Sequence, residues 1–203
     1  MTQSEGSSEP GILIPHANYL PWLKGLTQSV PSLERTDGYL VFGVLKPYKG
    51  IERAVDAALR SRGAELLIAG ESKDNNYLAS LERKASASSA VTIHAMRLND
   101  ADLVRRIQSS AAVVVPYPEL YNSGVVLLAL SLNRPVVVQR STVAEALEIE
   151  FGSDWIRLID FEVDELPRVP ALSQVHWNQE RTWRYSGRAH ARIYRAVAKR
   201  ATS

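Results

Sequence analysis

From Tyr39 onward the sequence repeats one unit: a short run that is apolar at nearly every position, a turn, then a segment with helical spacing. The runs are YLVFG (39–43), ELLIAG (65–70), VTIHA (91–95), AVVVPY (112–117), PVVVQ (135–139) and WIRLID (155–160). Between them lie 49–62, 74–88, 100–109, 123–132 and 143–151, each long enough for about two to four helical turns. A strand apolar on both sides must be covered on both faces, and strands joined by helix-length crossovers run parallel. The fold class this predicts is α/β, a doubly wound parallel sheet. The helices agree: Ile51, Val55, Ala58 and Leu59 form one stripe, as do Leu78, Leu81 and Ala85, each placed to face a sheet. Asp100 and Asp102 stand in a first turn, where negative charge complements free N–H groups.

Around this region the chain divides into 1–10, rich in Ser, Glu and Gly and expected to be disordered; 11–38, a linker punctuated by Pro15, Pro21 and Pro31; the sheet region 39–170; and a C-terminal helix over 171–203. Within the last segment Trp183, Ile193, Tyr194 and Val197 share one side and Arg184, Arg188, Arg192 and Lys199 another. This is an amphipathic helix with a basic face, expected to break or weaken at Gly187. A basic face is most often solvated, and the sharper reading is contact with an anionic membrane surface or a partner half.

Composition removes several function classes. With no cysteine in 203 residues, disulfides, thiolate metal sites and thiol nucleophiles are excluded. His16, His94, His176 and His190 have no spacing that sets two on one helical face, so no metal is expected. The net charge of +2 is too small to imply nucleic acid. Residues 1–10 have neither a basic end nor an apolar run, so the expected location is cytoplasmic.

In a doubly wound sheet, ligands sit at the carboxyl ends of the strands. Two loops there stand out. Gly43 to Gly50 joins the first strand to the first helix; Gly43 allows close backbone approach, and Lys46 and Lys49 offer charge to a phosphate. An ordinary turn with solvated lysines is the alternative. Pro116 to Gly124 follows the fourth strand. Its Ser123-Gly124 would leave the N–H groups of a helix start open to a diphosphate, and capping by Asn122 or Ser123 is the alternative.

The stretch YLVFGVLKPYKGIERAVDAAL, then ELLIAGES, VTIHAMRLNDADLVRRIQSSAAVVVPY and SGVVLLALSLNRPVVV, resembles the C-terminal, donor-binding domain of GT-B glycosyltransferases of the retaining "glycosyl transferases group 1" type. The resemblance covers about 11–161, and 181–197 is similar to the family's closing helix. It implies a Rossmann-like half-molecule that binds a nucleoside-diphosphate sugar. By the same resemblance Lys49 holds the donor diphosphate beside Gly43, Glu119 is the first of two acidic residues near the donor sugar, Ser123 and Gly124 meet the phosphates, and Arg97 and Leu98 approach the base. The implied catalytic residues are Glu119 and Lys49, without cofactor or metal.

The chain departs from the family pattern at two positions. Val44 replaces an arginine, with Lys46 two positions on, and Ala129 stands where a second acid would grip the ribose. The SGVVLLALS run is nevertheless similar to a subgroup of polysaccharide-type transferases. An N-terminal acceptor domain is missing from the resemblance, so the expected partners are a nucleotide-sugar donor plus a separate acceptor-domain polypeptide or a second copy of the chain. The alternative function is a non-catalytic binding or scaffolding module that keeps the fold. A different phosphate-binding protein of the same sheet type ranks last, since the first loop lacks a three-glycine dinucleotide fingerprint. His94, at the end of the third strand, and His16 read as structural.

Overall fold

A computed structural model describes residues 14–29, 34–120 and 124–201. They form two compact units, residues 19–177 and a smaller unit made of 14–18 with 178–201.

The larger unit contains α1 (Leu20–Ser29), β1 (Tyr39–Phe42), α2 (Ile51–Arg60), β2 (Leu66–Ala69), α3 (Asn75–Ala85), β3 (Val91–His94), α4 (Asp100–Ser109), β4 (Ala112–Val115), α5 (Gly124–Ser131), β5 (Val136–Gln139), α6 (Thr142–Phe151) and β6 (Ile156–Ile159). The six strands make one sheet in the order β3-β2-β1-β4-β5-β6, and every pairing is parallel. The doubly wound prediction therefore holds. β1 and β4 lie side by side at the centre and are buried at every residue, which is why their sequences carry no polar alternation.

Successive residues of these strands feed opposite cores. Leu40, Phe42, Val113 and Val115 pack with Leu23 of α1, Val104 and Ile107 of α4, and the side chains of α5. Tyr39, Val41 and Val114 pack with Ile51 and Val55 of α2, Leu81 of α3, and the fully buried Phe161 beyond β6. Helix starts are fixed locally: the Asp74, Asn99 and Ser141 side chains accept from the backbone N–H three residues on.

Three expectations are revised. The linker 11–38 contains α1, which sets Leu23 and Leu26, with Tyr19 just before the helix, against the first core. A pattern that short escapes a periodicity test, and Pro21 sits in the first turn, where its missing N–H costs nothing. Residues 171–182 precede the last helix, α7 (Trp183–Ala201), and hold only a single 3-10 turn at Gln179–Arg181. α7 also runs unbroken through Gly187, because one interior glycine costs less than a second pair of helix ends. The stretch 1–10 lies outside the described residues, as does 11–13 of the linker.

In the smaller unit the Asn18 N–H donates to the Arg181 carbonyl at 2.8 Å and the Trp183 indole N–H to the Asn18 carbonyl at 2.7 Å. His16 is structural: its Nδ1 lies 2.7 Å from the Ala17 carbonyl, and its own carbonyl accepts from Arg181. A Cβ on Gly187 would meet nothing within 4 Å. Gly187→Ala is expected to raise the protection of α7 amides in hydrogen exchange by about 0.5–1 kcal/mol; unchanged or reduced protection would mean that the helix bends there in solution.

Candidate functional site

α2 packs on one face of the sheet and α5 on the other, although the strands they follow, β1 and β4, are neighbours. The chain thus leaves the sheet in opposite directions at this point and opens a crevice at the carboxyl rim. The walls of the crevice are the two loops singled out in the sequence.

Three glycines set the first wall. Gly43 has φ 102° and donates to the Ala69 carbonyl at 3.1 Å. A Cβ on Gly70 would lie 1.9 Å from the Gly43 carbonyl oxygen, so the ends of β1 and β2 approach more closely than any side chain permits. Leu45, buried, donates its N–H to Glu71 and pins the loop down. Pro47–Lys49 then form a 3-10 turn that ends at Gly50, φ 60°. A Cβ there would meet the Pro116 carbonyl at 2.9 Å and Pro118 Cδ at 3.3 Å, which is where the first loop touches the second.

Lys49 projects into the corner so formed. Its Nζ lies 3.4 Å from where a Cβ on Gly43 would stand and 5.5 Å from the centre of the Tyr117 ring, within cation–π reach. Burial, and secondly the charge of Lys46, lowers the Lys49 pKa. Burial likewise pushes the Tyr117 phenol up to about 12, with a smaller contribution from Tyr48. Among the described residues no carboxylate forms an ion pair with Lys49. Lys46 is exposed, its amine 5.9 Å from the Tyr48 ring centre. Lys49 is therefore a half-enclosed cation and Lys46 a solvated one beside it.

On the second wall Glu119 is exposed. Ser123, with Tyr121 and Asn122, lies outside the described residues, and both the phosphate role and the capping role expected of Ser123 fall there. Gly124 opens α5 at the same rim. A Cβ on it would meet the Tyr19 hydroxyl at 2.7 Å. Tyr19 is held from its other end, because its N–H donates to Ser131 Oγ at the close of α5, and its ring meets Trp22 edge-on at 6.3 Å.

The remaining expected residues are dispersed. Leu98 packs against the first core, whereas Arg97 and Met96 are exposed on the loop after β3. That loop belongs to the same rim but is two strands, roughly 10 Å, from β1. Ala129 is fully buried, like every side chain from Val126 to Ser131. No described α5 position beyond Val125 offers a group to solvent, and an acid at 129 would stand in an apolar core. His94 ends β3 half-buried. A cavity of about 800 Å³ between Arg62, Arg168, Asp37 and Glu165 lies at the amino edge, opposite the crevice. Sequence reasoning missed Gly70, Tyr117 and Tyr19. Gly70 and Tyr117 each follow a strand and were open to notice, but Tyr19 is remote in sequence from everything it touches.

The pattern of the family described as Glycosyl transferases group 1 matches residues 37–157. A GDP-mannose:glycolipid 4-beta-D-mannosyltransferase of Xanthomonas campestris pv. campestris is 29% identical over 189 residues, covering 88% of this chain and 53% of that protein. The chain spans about half the length of the curated relatives it matches. Among solved structures, AviGT4, a glycosyltransferase involved in avilamycin A biosynthesis, superposes with a TM-score of 0.63 at 19% identity, over 95% of this chain and 60% of that one. Sucrose-phosphate synthase from Thermosynechococcus elongatus gives 0.58 at 18% identity, over 95% and 53%. These two share the fold.

The contact at Gly124 generates a paired test. Gly124→Ala alone is expected to destabilise by about 1–3 kcal/mol through overpacking against the Tyr19 hydroxyl. In a Tyr19→Phe background the next ring atom stands 3.7 Å away, and most of that loss should disappear in denaturant titrations. A full loss in both backgrounds would show that the contact does not exist in solution.

Proposed function

We infer the function from one premise: the chain belongs to the family of group 1 glycosyl transferases. On that premise the crevice between the Gly43–Gly50 loop and the start of α5 is the donor side of a glycosyltransferase site. Its ligand is a nucleoside-diphosphate sugar. Lys49 contacts the diphosphate, Lys46 adds charge from solvent, and the backbone at Gly43 and Gly124 approaches the phosphate oxygens without side chains in the way. Glu119 faces the donor sugar, and Arg97 and Leu98 lie toward the base.

The observation that carries this reading is the half-enclosed Lys49 amine, which burial penalises and no described carboxylate offsets. Such a cation is stabilised when an anion enters beside it. When the bond between the anomeric carbon and the diphosphate breaks, negative charge gathers on the departing phosphate oxygens. Lys49 and the N–H groups at the α5 start would stabilise that charge without a metal. The acceptor would bind to a second half, supplied by another polypeptide or by a longer stretch of the same protein. GDP-mannose, the donor named for the Xanthomonas relative, is the first to test. A second reading, a binding module without turnover, is favoured by the buried Ala129, which leaves ribose recognition without an acid.

Calorimetry with GDP and UDP should show saturable binding that Lys49→Ala weakens by at least about tenfold, the range of a lost charge-assisted bond. No binding at millimolar ligand favours the second reading. The pH dependence has a defined sign. Because the folded pKa of Lys49 lies below its usual 10.5, affinity should fall as pH rises through that lowered value, before an ordinary lysine loses its proton. In the same window the unfolded chain holds the additional proton, so the stability of the free protein should rise with pH. Lys49→Met should flatten both profiles, and profiles identical to wild type would remove Lys49 from the site.

A further inference from the structure

We propose that Tyr117 is a positioning residue of the crevice: its ring face holds the Lys49 ammonium in the corner between the two loops, in the role a carboxylate would otherwise take, and leaves the charge uncancelled for an incoming anion. The contact is independent of the donor-site reading; the purpose assigned to it rests on that reading.

The ring is set before any lysine reaches it. Tyr117 stands between Pro116 and Pro118. A proline confines its own φ, and the one that follows Tyr117 keeps that residue out of the helical region. The segment is also wedged against the first loop, since a Cβ on Gly50 would meet the Pro116 carbonyl at 2.9 Å and Pro118 Cδ at 3.3 Å. The Tyr117 side chain itself is half-buried and packs against the core that includes α5.

Lys49 meets this ring over its face, with Nζ 5.5 Å from the centre and so inside the ~6 Å limit of a cation–π contact. On its other side Nζ lies 3.4 Å from where a Cβ on Gly43 would stand. The other ionisable groups of the two loops are Lys46, Tyr48 and Glu119, and Arg53 of α2 reaches Gly50 but is paired with Glu162. Among the described residues no acid forms an ion pair with Lys49, so the ring performs the task an acid ordinarily performs for a half-buried lysine. The difference is electrical. A carboxylate at contact distance would neutralise the ammonium and compete with a phosphate for its donors. An aromatic face attracts the cation through its quadrupole and carries no net charge, so the lysine is held while its charge stays available. Burial, with a smaller contribution from Tyr48, pushes the Tyr117 phenol up to about 12, and the ring therefore stays neutral while Lys49 titrates below its usual 10.5.

NMR of the full chain carrying isotopically labelled lysine reads the Lys49 titration directly, with Lys49→Arg assigning the signal. Tyr117→Phe keeps the face and should leave that titration where the wild type has it. Tyr117→Leu keeps apolar cover without a face, and the Lys49 pKa should fall further, because the charged form loses its attraction. Phenylalanines with increasing ring fluorination at 117 preserve shape while draining the face of negative potential, so the Lys49 pKa should fall stepwise along the series; this arm decides the matter even where Tyr117→Leu fails to fold. An unchanged or raised Lys49 pKa would reduce the ring to cover and overturn the proposal. Calorimetry with GDP joins the contact to its purpose. A lysine released from the ring must be ordered by the ligand, so affinity should drop roughly two- to tenfold in Tyr117→Leu and stay within about twofold of wild type in Tyr117→Phe. Equal losses in both variants would assign the effect to the hydroxyl and likewise overturn the proposal. A wild-type protein that binds no GDP would remove the donor-site reading and with it the purpose given to the ring, while the titration alone still decides the contact.

Discussion

The carboxyl rim of the sheet depends on backbone approaches that leave no room for a side chain. Gly70 lies against the Gly43 carbonyl, and Gly50 against the Pro116 carbonyl. The first contact ties the exit of β1 to that of β2; the second ties the loop after β1 to the loop after β4. With both in place the 3-10 turn at Pro47–Lys49 can aim its last side chain only into the corner bounded by Gly43 and Tyr117. The position of Lys49 is thus a consequence of three glycines, two prolines and the turn bond from its own N–H to the Lys46 carbonyl rather than of an ion pair made by its amine among the described residues.

That placement has an electrostatic cost that no ion pair among the described residues offsets. Lys49 loses water to burial and gains a second lysine as neighbour. Stability left unrealised in this way is characteristic of sites organised for a ligand of opposite charge.

In the proposed reading, family membership and local chemistry agree on the side of the crevice assigned to the phosphates and diverge on the side assigned to the ribose. In the proposed reading a diphosphate needs a cation and backbone without side chains in the way, and Lys49, Gly43 and Gly124 are of that kind. A ribose hydroxyl pair needs an acceptor, and α5 past Val125 presents only buried side chains, Ala129 among them. The chain matches about half the length of its curated relatives, and in the proposed reading the groups that meet an acceptor lie outside the matched half.

The alternation of apolar runs with helix-length segments was enough to determine a doubly wound parallel sheet, and the strand positions followed to within a residue or two, because burial on both faces and the need for crossovers are local properties of the pattern. The loops carrying Gly43, Lys49 and Gly124 were legible for the same reason, since each follows a strand. Helix α1 was not, its core contacts being only Leu23 and Leu26, with Tyr19 just before the helix, between prolines, and neither was the continuity of α7 through Gly187. The contacts that convert two loops into one site were decided by the tertiary structure alone. Gly50 meets Pro116, Lys49 meets Tyr117 and Tyr19 meets Gly124 only because β4 lies beside β1 and Tyr19, just before α1, is placed against both ends of α5. Hydrophobic periodicity fixes which residues face inward but is silent on which strand stands next to which, so residues some seventy to a hundred positions apart could be recognised as partners only once the sheet order was known.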